Sequence, residues 1–258
     1  MFGFKNRRRA RLRARPLDAG KRLLLETGVP YYDLLDPPER IALEGLLQVF
    51  LHEKRFEGCG GLEITDEMRV TIAGHACLLI LGRQTDFFPL LSSVLLYPDS
   101  YTAPVARHGP GGVVTEANEQ RIGESWAEGS IVLSWQDIRD DVLAPEDGYS
   151  VIVHEFAHQL DDELPEAEGM PVLSDPSMYA QWSRVMKAEY ERLCANGAAG
   201  REGVIDSYGA ESPGEFFAVV SECFFTVPID LEEEHPDLYA QLASLYRQHP
   251  AELLRRAS

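Results

Sequence analysis

Five consecutive residues, His154-Glu155-Phe156-Ala157-His158, have the types and spacing that could do chemistry. Within a helix, positions i and i+4 stand on one face with Cβ atoms about 5–6 Å apart, so two imidazoles there can share one cation. A catalytic zinc takes three protein ligands and keeps one position open, with imidazole nitrogens at about 2.0–2.1 Å. Glu155 follows the first histidine and falls beside such a metal, where a carboxylate can take a proton from water. Val151, Ile152 and Val153 before the motif and Leu160 after it make the helix apolar. A carboxylate and two imidazoles on so apolar a helix are costly without a partner. The ordinary alternative is a pair of surface histidines with Glu155 in solvated ion pairs, and the apolar flanks weigh against it.

A third ligand has to come from elsewhere. The place for a short-spaced third histidine holds Leu164, and no histidine occurs from 159 to 234. A carboxylate of a later helix is therefore expected, with Glu211, Glu215 and Glu222 as candidates. Glu215 and Glu222 are two helical turns apart and share a face. Ser212-Pro213-Gly214-Glu215 also reads as a capping box, which would draw the Glu215 carboxylate back to the backbone, so the residues alone leave the choice open. Asp161 and Asp162 lie where a carboxylate could orient an imidazole, or where solvated helix-end acids are common. His52, His75, His108, His235 and His249 lack ligand-like spacing and read as surface or core residues.

The elements that must position these groups follow from periodicity and punctuation. Residues 149–162 form a helix by their apolar spacing, 177–194 another with Trp182, Val185 and Met186 inward, and Ser212 opens a third that runs to about Phe225 before Pro228. A last helix covers about 236–248. In the first half, 18–26 reads as a short helix. Asp36-Pro37-Pro38-Glu39 reads as a capped start for a longer one, and Thr65-Asp66 as the cap of a buried helix over 67–81. Strands are expected at 62–64, 93–97 and 131–135, with weaker candidates near Val113-Val114 and Ile122. Strands and helices first and helices alone afterwards predict an α+β fold with a small mixed sheet and a predominantly helical C-terminal half.

Charge excludes some functions. The chain has 24 Lys plus Arg against 42 Asp plus Glu, a net −18. Seven of the bases (Lys5, Arg7, Arg8, Arg9, Arg11, Arg13 and Arg15) sit in the first fifteen residues, so the remainder carries 17 bases against 42 acids, or −25. Such a body repels phosphate backbones, and nucleic-acid binding through it is not expected. Residues 1–16 read as a frayed basic arm and 17–258 as one domain. The arginines run into Pro16-Leu17-Asp18 rather than an apolar stretch. That pattern, with no run near 20 apolar residues, fits a cytoplasmic chain without a membrane span. The four cysteines form no Cys-x-x-Cys pair and read as reduced thiols.

Several segments together resemble a known family. His154-Glu155-Phe156-Ala157-His158-Gln159-Leu160-Asp161, Asp206-Ser207-Tyr208 and Pro213-Gly214-Glu215-Phe216-Phe217-Ala218-Val219-Val220-Ser221-Glu222 are similar to the family of Mlc titration factor A, a gluzincin-type zinc peptidase family. Gly123-Glu124-Ser125-Trp126 and the segments 129–135 and 94–98 add to the likeness, which runs from about 30 to 250. Ser207-Tyr208-Gly209 and Glu215-Phe216-Phe217-Ala218 bear a more distant likeness to the catalytic domain of anthrax lethal factor. The resemblance implies a zincin-like (gluzincin) metallopeptidase core that holds one Zn²⁺ per chain. It implies His154, His158 and Glu215 as metal ligands, Glu155 as general base and Tyr208 as a residue that steadies the oxyanion. It implies peptide substrates and aminopeptidase activity, or else a regulator that binds and sequesters a transcriptional repressor of the Mlc type with weak hydrolysis. The 131–135 strand is a candidate to pair with an extended peptide by edge addition.

Overall fold

The computed structural model describes residues 2–83, 86–99, 101–108, 114–121, 123–126, 129–164 and 168–257. In the first half, helices α1 (Phe2–Arg13), α2 (Ala19–Gly28) and α3 (Pro37–Glu53) precede strand β1 (Arg55–Gly58) and helix α4 (Asp66–Leu78). Strands β2 (Ser93–Tyr97), β3 (Tyr101–His108), β4 (Val114–Arg121), β5 (Gly123–Trp126) and β6 (Ser130–Ser134) follow. From there the chain is helical: α5 (Trp135–Leu143), α6 (Val151–Asp161), α7 (Tyr179–Ala198), α8 (Pro213–Thr226), α9 (Pro228–Glu234), α10 (Pro236–Tyr246) and α11 (Pro250–Ala257). This is the α+β arrangement with a helical second half.

Local chemistry starts the helices where expected. Asp36 accepts from the Glu39 amide at 2.9 Å and Glu39 returns a carboxylate to the Asp36 amide at 3.1 Å, a complete capping box with Pro37 in the first turn. Thr65 caps α4 through the Met68 amide at 3.2 Å. The main sheet has the order β1-β2-β6-β5, with β1, β2 and β6 parallel and β5 antiparallel to β6; β3 and β4 form a separate antiparallel pair. Core side chains run from Leu17 to Ala251, and Phe156 of α6 packs edge-on against Phe88 at 4.9 Å and lies 5.7 Å from Phe50 of α3.

Three expectations change. The strand foreseen at 62–64 lies instead at Arg55–Gly58. Gly60 and Gly61, at φ of +58° and +83°, turn the chain out of the sheet, and Leu62 and Ile64 pack as partly buried side chains on the core edge. β6 is paired on both sides, so it offers no free edge to a peptide; the outer strand on that side is β5. The residues of β6 are nearly all buried because both faces are covered, which is why a two-residue alternation is weak in its sequence. Of the weaker strand candidates, Val114 begins β4, whereas Val113 and Ile122 lie outside the described residues.

The third change concerns the basic arm, which is helical in α1. Arg9 places its guanidinium on Glu53, with Nε at 2.8 Å and Nη2 at 2.6 Å, and its Nη1 on Asp86. It also stacks over the Phe87 ring at 4.5 Å. Seven like charges within fifteen residues suggest a solvated tail; two acids far along the chain supply the partners that composition does not show.

Candidate metal centre

Helix α6 carries His154, Glu155 and His158, and three groups fix its start. Ser150 is the N-cap, its Oγ accepting from the Val153 amide at 3.3 Å. Asp141 of α5 accepts from the Val151 amide at 2.7 Å, and Glu222 of α8 accepts from the Ser150 amide at 2.7 Å. First-turn amides point out of a helix with no intrahelical acceptor, and these oxygens occupy them. Burial pushes Asp141 up to about 6, opposed by its bond to the Val151 amide.

His154 and His158 face each other with Nε2 atoms 3.1 Å apart. Glu215, one turn into α8, brings Oε2 to 3.1 Å from His154 Nε2 and 3.4 Å from His158 Nε2. One ligand atom from each of the three lies within 4.8 Å of the others. Glu215 Oε2 is buried and, beyond these two ion-pair approaches, has no hydrogen-bond partner. Three converging donor atoms, one of them an orphaned carboxylate oxygen, fit a divalent cation of the zinc type. Without a cation a proton takes its place. Burial works to lower His154, yet Glu215 and Glu222 beside it hold its pKa up near 10. Burial works to raise Glu215, yet the two imidazoles hold it down to about 2.

The capping conflict at Glu215 resolves simply. Ser212 Oγ accepts from the Glu215 amide at 3.1 Å, so one half of the box forms. The Glu215 carboxylate does not return to the Ser212 amide and turns towards the imidazoles. Of the other two candidates, Glu211 is exposed, and Glu222 goes to the far side of His154, where Oε1 meets Nδ1 at 2.8 Å. A carboxylate on Nδ1 fixes the ring and leaves Nε2 to face the centre. Sequence reading missed this role of Glu222; its signal was the seven-residue spacing from Glu215, which gives both residues one helix face. Asp161 does not orient an imidazole. It accepts the amides of Gly169 at 2.8 Å and Met170 at 2.7 Å and so shapes the loop after α6, while Asp162 is exposed.

Glu155 is only 5% exposed and its Oε2 has no hydrogen-bond partner. Burial pushes its pKa up to about 7, against the pull of both histidines. Tyr208 sits in the short 3-10 turn Ser207–Ala210 with its ring 6.0 Å from that of His154, and is 46% exposed. Burial of the hydroxyl and the nearby Glu215 push its pKa to about 12, so it stays a proton donor at neutral pH. The remaining described histidines lie away from the centre: His75 bonds the Thr71 carbonyl at 3.0 Å and His235 meets Glu189 at 2.7 Å. All four cysteines are free. Among the described residues no helix is long and apolar enough to cross a membrane.

Known proteins resemble this chain along nearly its whole length. An uncharacterized protein of Synechocystis sp. is 38% identical over 244 residues, covering 94% of this chain and 89% of that protein. Mlc titration factor A of Escherichia coli O127:H6 and that of Shigella flexneri serotype 5b are each 30% identical over 238 residues, covering 89% of this chain and 87% of theirs. The profile of the glucose-regulated metallo-peptidase M90 family matches residues 4–247. Similar to the proteins named Mlc titration factor A and matched by that profile over nearly its whole length, the chain belongs to the M90 metallopeptidase family.

Proposed function

We propose that the chain is a zincin-like peptidase of the gluzincin type that hydrolyses peptide bonds in the cytoplasm, with His154, His158 and Glu215 as ligands of one Zn²⁺. The observation that carries this reading is the convergence of two imidazole nitrogens and an unpartnered carboxylate oxygen beside a buried, unpartnered Glu155. When bound, zinc supplies Lewis acidity for an attacking water and for the scissile carbonyl. Glu155, raised towards neutrality by burial, takes a proton from the attacking water at its orphaned oxygen and returns it to the leaving amine. Tyr208 donates its hydroxyl to the developing oxyanion, a contribution of about 3–4 kcal/mol in comparable sites. Glu222 keeps the His154 ring in place. The backbone of β5, the outer strand beside β6, is the edge on which an extended substrate can lie. Aminopeptidase activity rests on the family resemblance, and a free α-amine dependence tests it: peptides blocked at the amino terminus should resist cleavage.

A second reading has its own support. The relatives at 30% identity are named for titration of Mlc, and a chain of this type could serve mainly to capture a repressor. Glu155→Gln separates the two. For the peptidase, hydrolysis should fall about 10²–10⁴-fold with folding and metal content kept. Undiminished hydrolysis removes Glu155 from its role, and a cellular phenotype that tracks repressor capture alone favours the regulator.

A further inference from the structure

We propose that Tyr149 is a positioning residue: through Asp206, its hydroxyl fixes the turn that presents Tyr208 to the metal centre. The inference rests on the reading of Tyr208 as the oxyanion donor. Tyr149 donates its hydroxyl to Asp206 Oδ2 at 2.7 Å, and Asp206 Oδ1 accepts the Tyr208 amide, also at 2.7 Å. One carboxylate therefore joins the residue just ahead of the metal helix to the backbone of the tyrosine that overlooks it.

Tyr208 needs such a tether. Its turn is four residues long, and a single 3-10 turn holds its shape poorly on its own. The far end is pinned, because Tyr190 donates to the Ala210 carbonyl at 3.1 Å and Gly209 is buried against Leu193 and Phe216. The near end is where Asp206 takes the Tyr208 amide, and the half-exposed Tyr208 ring has little packing to fix it.

Tyr149 is well placed to be the other end of the tether. Its neighbours Ser150 and Val151 give their amides to Glu222 and Asp141. Three consecutive residues thus bind the start of α6 to the turn of Tyr208, to α8 with Glu215, and to α5. The Tyr149 ring is 52% exposed, so it contributes little to the core, and its hydroxyl is the part with a defined partner. A misplacement of about 1 Å in a catalytic group can cost on the order of 10²-fold in rate.

A double-mutant cycle on the zinc-loaded protein tests this. Tyr149→Phe should lower kcat for a peptide roughly tenfold at unchanged KM, metal content and Tm, and Tyr149→Phe with Tyr208→Phe should be no slower than Tyr208→Phe alone. A second readout uses the metal-free protein labelled with 3-fluorotyrosine. The ¹⁹F resonance of Tyr208, assigned by its loss in Tyr208→Phe, should shift or broaden in Tyr149→Phe. Unchanged kcat in Tyr149→Phe, multiplicative losses in the double variant, or an unmoved resonance overturns the tether. Full activity in Tyr208→Phe overturns the oxyanion reading instead, and the resonance then decides the tether by itself.

Discussion

At His154 two demands meet on one ring. In the metal-free protein the carboxylates of Glu215 and Glu222 favour the imidazolium and hold its pKa near 10, above the ordinary histidine value of 6.5. The proton therefore stabilises the empty site fully below pH 6.5, and that stabilisation is lost as pH rises through 10. A cation must displace the same proton, since only the neutral ring is a ligand. Apparent zinc affinity should accordingly rise with pH from 6 to 8, about tenfold per pH unit for each proton released. Competition against a chelator at several pH values checks this, and a flat profile would contradict imidazole ligation. Glu215 works in the opposite sense. Its carboxylate, held down to about 2, adds stability above pH 4.5 that is lost in acid.

Helix α8 has to point two acidic side chains in fixed directions. Its first turn holds Glu215, two turns on stands Glu222, and its apolar face buries Phe216, Phe217, Val220 and Phe224. The Ser212 hydroxyl on the Glu215 amide is the local bond that keeps the first turn wound. Ser212→Ala should cost about 1 kcal/mol of stability, as cap losses do. It should also weaken zinc binding, because Glu215 sits in the turn that frays. Calorimetry with and without metal measures both effects. A loss of stability at unchanged zinc affinity would show that core packing, not the cap, sets the Glu215 backbone. Helix α6 depends less on its own cap, since Asp141 and Glu222 also take its first amides.

Across the whole molecule, a basic N-terminal helix rests on an acidic body. Arg9 is the joint. It is buried, forks onto Glu53, reaches Asp86 and covers Phe87. Phe87 and its neighbour Phe88 are both at positive φ, 59° and 52°, a conformation that costs side-chain-bearing residues energy. Lys54 donates to the Phe88 and Leu91 carbonyls at 2.7 Å each, which helps to hold that segment. Phe88 in turn packs on Phe156 in α6, the helix that carries the two histidines. Arg9→Ala should therefore destabilise the fold by about 1–3 kcal/mol, the cost of leaving part-buried carboxylates unpaired. Asp86 is half exposed and contributes the smaller share. Denaturant unfolding measures the loss, and trypsin should cut α1 faster in the variant. Equal cleavage rates would mean that Arg9 does not hold the helix.

The sequence by itself determined that His154 and His158 share one face of α6, the capped starts of α3, α4 and α8, and the helical second half. These follow from spacing and side chains that act within a few residues, where the helix sets geometry without outside help. The structure alone decided that Glu215, not Glu222, turns to the imidazoles, that Glu222 backs His154, that Asp161 shapes a loop, and that β6 lies inside the sheet. It also decided that Arg9 docks the basic helix and that Tyr149 reaches Asp206. The side-chain contacts among these join residues 8 to 77 positions apart. A side chain's own neighbourhood in sequence says what it can bond to, but which partner arrives is settled when the layers pack.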